Sequence, residues 1–140
     1  MVAGAAVLVW CTALSGYDIR HRRLPNWLTL PGAVVILSGA VAAGHGGPAL
    51  AGAGVLFAAY ATVHLAAPAA LGAGDVKLAL GTGALTGAFG PDVWLLAALA
   101  APLLTAVCGL VAVAARARCT LAHGPSMCLA SAVAVGLTLV

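Results

Sequence analysis

Two carboxylates set the chemistry open to this chain of 140 residues. It contains no Glu, and of its three acidic side chains two lie in short polar breaks: Asp18 in Asp18-Ile-Arg-His-Arg-Arg-Leu-Pro-Asn26 and Asp75 in Gly72-Ala-Gly-Asp75-Val-Lys77. A carboxylate beside hydrocarbon is costly to keep charged, which makes each a functional candidate. Two at one depth suggest an aspartyl dyad, in which the ionised member draws a proton from water and the protonated member polarises a carbonyl. Close like charges do not both ionise cheaply, so such a pair titrates as a unit.

The elements that must carry these groups are membrane helices. The chain is 64% hydrophobic and 6% charged, with a mean hydropathy of +1.15, which excludes a soluble domain and fits a polytopic membrane protein. Gly, Pro and charge divide it into six candidate helices: residues 2–17, 28–43, 49–70, 76–90, 92–114 and 124–140. The fourth and sixth are short for a bilayer and are expected to be tilted little, to begin within the interface or to pack behind longer neighbours. The fold class expected is thus an all-α polytopic bundle of about six transmembrane helices, forming one integral-membrane domain over residues 1–140. The first run lacks a positive n-region and precedes Arg20, Arg22 and Arg23, so it reads as a retained span and not a cleaved signal.

Counting through six spans puts Arg20, Arg22, Arg23, Lys77, Arg116 and Arg118 on one side, which the positive-inside rule assigns to the cytoplasm, with both termini opposite. A bundle of five spans would instead put the C-terminus inside. In the preferred orientation Asp18 closes the first span and Asp75 opens the fourth, so both sit at the cytoplasmic membrane edge. Trp27 falls at the same level and reads as an interfacial anchor.

Each motif also has a plainer reading. Gly72 and Gly74 are expected to permit positive φ and close backbone approach, presenting Asp75 at a helix start, but Asp75 alone would also serve as an ordinary cap. Asp18 alone would serve to neutralise the arginine run. Arg20 and Lys77 each stand two residues from an aspartate, a spacing that points helical side chains apart, and neither is given a catalytic role. Gly83 and Gly87 form a Gly-x-x-x-Gly pair suited to close packing of membrane helices. His64 fits a proton relay or a hydrogen-bonded bundle histidine, and the second is preferred. No histidine or cysteine spacing suits a metal, Cys11, Cys108, Cys119 and Cys128 read as small apolar residues, and no metal or other cofactor is expected. The net charge of +3 is spread over short loops and does not form a basic face, so no nucleic-acid partner is expected.

With both acidic segments read, the chain resembles the type IV prepilin peptidase family, polytopic aspartyl proteases of the Gly-x-Gly-Asp type. The first family motif is matched by Asp18, Arg20, Leu24, Pro25 and Asn26, and the second by Gly72, Gly74, Asp75 and Lys77. A third likeness, His123-Gly-Pro-Ser-Met127, matches only at Gly124 and Pro125 and suggests position without chemistry. The resemblance implies that Asp18 and Asp75 are catalytic, with Arg20, Pro25, Asn26, Gly72, Gly74 and Lys77 supporting the motifs. It implies a prepilin-like protein substrate, cut after a Gly and a few residues before an acid, and a multi-pass location in the bilayer of the inner membrane with the site facing the cytoplasm. Long members carry a segment with paired Cys-x-x-Cys motifs and a linked methyltransferase activity. This chain looks like the short form associated with Tad/Flp-type or archaeal pilin-like systems, and methyl transfer is not expected. Two readings from other classes compete. A small proton or ion transporter would use Asp18, Asp75 and His64 as a path, and would place acids at several depths and not at one edge. A non-catalytic pilus or secretion assembly subunit would use its acids only for topology or partner binding.

Overall fold

The computed structural model describes residues 2–116 and 121–139; Arg118, Cys119 and the final residue of the sixth expected span lie outside these. Among the described residues six helices follow one another: α1 (Val2–His21), α2 (Asn26–Ala42), α3 (Gly46–Ala66), α4 (Ala73–Ala88), α5 (Pro91–Ala114) and α6 (Gly124–Gly136). No strand occurs among the described residues, and the class is an all-α membrane helix bundle. By length and composition α3 and α5 can cross a membrane, while α2 and α6 are apolar but shorter.

The helix ends differ from the expected spans for local reasons. α1 continues past residue 17 to His21, so Asp18 sits in its last turn and Arg22, at φ 51, ends it by donating its N–H to the Asp18 carbonyl at 2.8 Å. α2 begins directly behind Pro25, whose extended backbone (φ −72, ψ 136) suits the position before a helix. α3 stops at Ala66 and not at 70, because Ala67, which precedes Pro68, is held out of helical geometry at φ −145 and ψ 74. Between α4 and α5, Gly90 takes φ 117, where a side chain would be strained, and Pro91 opens the next helix.

α4 runs through the middle of the bundle and packs against α2, α3, α5 and α6. Every residue from Gly81 to Gly87 is buried. This short helix is therefore the centre of the fold, shielded by the longer α3 and α5, one of the arrangements expected for it. The Gly-x-x-x-Gly pair meets α3: a Cβ on Gly83 would lie 2.6 Å from the Gly52 carbonyl oxygen and 3.0 Å from the Ala53 Cα, and one on Gly87 would lie 2.7 Å from the Pro48 carbonyl oxygen. Backbones this close gain dispersion contacts along their whole length, which matters where lipid removes any hydrophobic drive between helices. Two tryptophans fill the gaps and spend their N–H groups on the backbone. Trp10 of α1 wedges between Gly32 and Gly81 and donates to the Leu28 carbonyl at 2.9 Å, and Trp94 donates to Gly52 at 3.0 Å. Thr82 and Thr86, both buried, donate back to the Leu78 and Thr82 carbonyls of their own helix. The outer faces are apolar, with Leu65, Leu110 and Val113 well exposed, as helices solvated by hydrocarbon require.

The α3–α4 contact leaves no room for a methyl group at Gly83, whereas Gly39 has nothing within 4 Å of its would-be Cβ. Gly83→Ala is expected to destabilise the bundle by about 1–3 kcal/mol, and Gly39→Ala to leave it unchanged or slightly more stable. Thermal unfolding of the two detergent-solubilised variants, followed by thiol accessibility of the buried cysteines, checks this.

Candidate active site

The last turn of α1, the reversal that follows it and the first turn of α4 enclose a pocket of about 270 Å3. Asp18, Arg22, Arg23 and Leu24 line one side, and Gly72, Ala73, Gly74, Asp75 and Lys77 the other. The two polar segments are thus in physical contact. Leu24 is buried against Gly74, where a Cβ would stand 3.0 Å from the Leu24 Cβ and 3.3 Å from its backbone nitrogen. The Lys77 ammonium donates to Asn26 Oδ1 at 2.7 Å, joining α4 to the start of α2.

Glycine serves this site differently from the expectation of positive φ. Gly72 is extended at φ −73 and ψ 149, Gly74 is already helical, and the positive-φ glycines among the described residues are Gly44 and Gly90. What Gly74 supplies is absence of a side chain under Leu24. Asp75 is the third residue of α4, and the capping position belongs to Gly72 with no side-chain bond, so Asp75 is not the helix cap. Asp18 has a partner besides the arginine run. Its Oδ2 accepts the backbone N–H of Gly124, at the start of α6, at 3.1 Å.

Both carboxyls lie beyond the apolar runs, at the polar end of the bundle, and both are held above the ordinary carboxylate range. Asp75 is pushed up to about 6, first by burial and then by the negative charge of Asp18, with the Gly72 backbone N–H opposing. Asp18 is raised by burial, against which the Gly124 N–H and the Arg22 charge act. Two carboxyls whose ionisation is opposed by burial, and in Asp75 by the charge of its neighbour, hold one proton between them over a mildly acidic range, the arrangement proton transfer to and from a bound water requires.

The remaining residues fall in distinct places. Arg20 is exposed and outside the pocket, whereas Lys77 reaches its rim through the contact with Asn26. Pro25 serves as the turn into α2. Trp27 is 66% exposed and meets Tyr17 edge-on at 6.2 Å, as an interfacial anchor would. His64 donates from Nδ1 to the Leu71 carbonyl at 2.7 Å, so this bundle histidine secures the loop that leads into Gly72. Arg22 and Arg23, read from sequence as topology signals, line the pocket as well. Gly124 was given no chemistry by sequence reasoning. Its signal was the Gly-Pro pair at 124–125, which fixes a helix start and says nothing about what that start faces.

The model of the type IV leader peptidase family matches residues 5–110, a stretch containing both aspartates and everything that lines the pocket. The chain belongs to the type IV leader peptidase family. Comparison with curated proteins and with solved structures gives no match. Membership of the leader peptidase family, with its apolar helices, makes this a membrane peptidase at the level of class. The family match stops before α6, so the contact between Gly124 and Asp18 is a finding of the tertiary structure alone.

The raised pKa of Asp75 links stability to pH. Folding holds its proton from the ordinary value of 3.8 up to about 6, so between these pH values the folded state binds more protons than the unfolded one and stability falls as pH rises. The wild type is expected to be more stable at pH 4 than at pH 7, by on the order of 1–3 kcal/mol from this group. Asp75→Asn is expected to lose most of that dependence. Melting in detergent at the two pH values, for wild type and variant, measures it.

Proposed function

We propose that the protein is an aspartic endopeptidase, a single membrane domain over residues 1–140, that removes the leader from type IV pilin-like precursors of the Tad/Flp type. The observation that carries this reading is the shared pocket of Asp18 and Asp75, with the charge of one raising the pKa of the other. The ionised carboxylate takes a proton from water as the hydroxyl oxygen adds to the scissile carbonyl carbon, and the protonated carboxyl gives its proton to the carbonyl oxygen. Collapse of the tetrahedral intermediate returns that proton to its carboxylate. The proton taken from water passes to the departing amine, and both carboxyls are restored. No metal or other cofactor enters this scheme.

The multi-pass chain lies in the inner membrane with the site towards the cytoplasm. Arg20 lies in the last turn of α1, Arg22 and Arg23 follow it, Lys77 lies near the start of α4 and Arg116 follows α5; in six helices that cross in alternate directions these positions share the Asp18 and Asp75 end, which supports this orientation. A precursor whose apolar helix lies in the bilayer then brings its leader junction to the membrane edge where the pocket opens. Arg22, Arg23 and Lys77 surround the pair with positive charge and limit the cost of its shared negative charge.

Co-expression with candidate pilin precursors, following leader removal by gel mobility, tests the reading. Wild type is expected to cleave, and Asp18→Asn and Asp75→Asn each to lose activity by about a thousandfold or more, while still inserting at wild-type levels. Substantial cleavage by both variants would overturn the dyad. A reporter fused to the C-terminus is expected to signal from outside the cytoplasm, and a cytoplasmic signal would reverse the orientation.

A further inference from the structure

The start of α6 is held by an arrangement the dyad by itself does not explain. His123, the residue before α6, lies between two other helices: Nδ1 is 2.7 Å from Thr105 Oγ1 on α5, and Nε2 is 2.9 Å from the Tyr60 hydroxyl on α3. The Tyr60 and His123 rings also pack at 5.6 Å between centroids. Thr105 spends its one hydroxyl proton on the Ala101 carbonyl at 3.1 Å, so its oxygen accepts from Nδ1–H and Nε2 accepts from the Tyr60 O–H. The neutral imidazole thereby uses both nitrogens, each on a different helix, and burial favours that neutral form. Its backbone carbonyl receives the Met127 N–H, which begins α6. The next residue points its N–H at Asp18 Oδ2, and the fit is so close that a Cβ at Gly124 would stand 2.6 Å from that oxygen.

We propose that His123 is a positioning residue: clamped between Tyr60 and Thr105, it fixes the start of α6 so that the Gly124 N–H holds Asp18 as the ionised, water-activating member of the pair and leaves the proton on Asp75. This rests on the peptidase reading and deepens it by dividing the roles. A hydrogen bond donated to a carboxylate favours its charged form, and the N-terminus of a helix of 13 residues adds to that preference. The charged and titratable groups around Asp18 are Arg22 and Arg23 from its own segment, Asp75 and Lys77 from α4, and Cys128 from α6. Arg22 acts in the same direction as the Gly124 N–H. Arg23 and Lys77 line the pocket shared by both carboxyls, and Asp75 has an N–H of its own from Gly72 and the Tyr60 hydroxyl within reach of its charge; the Gly124 N–H and the Arg22 charge together favour ionisation of Asp18, whose charge then opposes that of Asp75.

The chain has only three carboxyl side chains, so protein labelled with 13C at Asp gives three side-chain carboxyl signals, assignable by single Asp→Asn variants. In wild type the Asp18 signal is expected to ionise at lower pH than that of Asp75. In His123→Ala, Tyr60→Phe and Thr105→Val the Asp18 midpoint is expected to rise towards that of Asp75. In the cleavage assay the same variants are expected to lower kcat by about tenfold to a hundredfold, with KM nearly unchanged. The acid limb of kcat should move to higher pH, because a base that has lost its donor stays protonated over a wider acidic range. His123→Asn, which keeps an amide to bond Thr105, should recover part of the loss. The Tyr60 and Thr105 variants each remove one hydroxyl and keep the test decisive if His123→Ala does not fold. Titration of Asp75 below Asp18 in wild type, or variants that shift neither the Asp18 midpoint nor the acid limb, would overturn the proposal. A wild type that cleaves no precursor would instead remove the peptidase reading, and the order of carboxyl titration would still decide whether the clamp acts on Asp18.

Discussion

The close approach of α3 and α4 is the contact on which the rest of the structure depends. Within lipid no helix gains by hiding apolar surface from water, so packing must come from dispersion between closely set backbones. Gly52, Gly83 and Gly87 allow that approach, and side chains there would force the two helices apart. With α4 seated against α3, its other faces receive α2, α5 and α6, and Trp10 fills the space left beside Gly32 and Gly81. The first turn of α4 then stands opposite the last turn of α1, and that places Asp75 on the same pocket as Asp18.

The polar end of the bundle answers to a different force. Two carboxyls removed from bulk water and close to one another oppose each other's ionisation, and the surroundings treat them unequally. Asp18 receives a backbone N–H from α6 and the charge of Arg22, while Asp75, with an N–H from Gly72, feels the charge of Asp18 on top of its own burial. The basic side chains at the rim keep the pocket from excluding negative charge altogether. A geometry suited to sharing one proton follows from these unequal neighbours and needs no unusual backbone at Gly72 or Gly74.

Much of this was legible in the chain before folding. Runs of apolar residues broken by Gly, Pro and charge mark six helices, because hydropathy is a property of each short segment. The ends were less legible: α1 continues to His21 and α3 stops at Ala66, since turn geometry at Arg22 and Ala67 outweighs composition there. The Gly-x-x-x-Gly pair announced a close contact but not its partner, which proved to be Gly52 of α3. Arg22 and Arg23 read as topology signals and also line the pocket, because a charge count cannot tell a loop in solvent from a loop folded over a site.

By itself, the sequence determined the membrane class, the number of helices and the two carboxylates, since residue type, apolar length and local motif are written along the chain. Only the tertiary structure decided that Leu24 rests on Gly74, that Lys77 ties to Asn26, and that His123 and Gly124 stand behind Asp18. Gly124 and Asp18 are 106 residues apart, and the bond between them exists because α1 and α6 pack side by side. Such a contact depends on the relative placement of whole helices, which no local pattern of residues encodes.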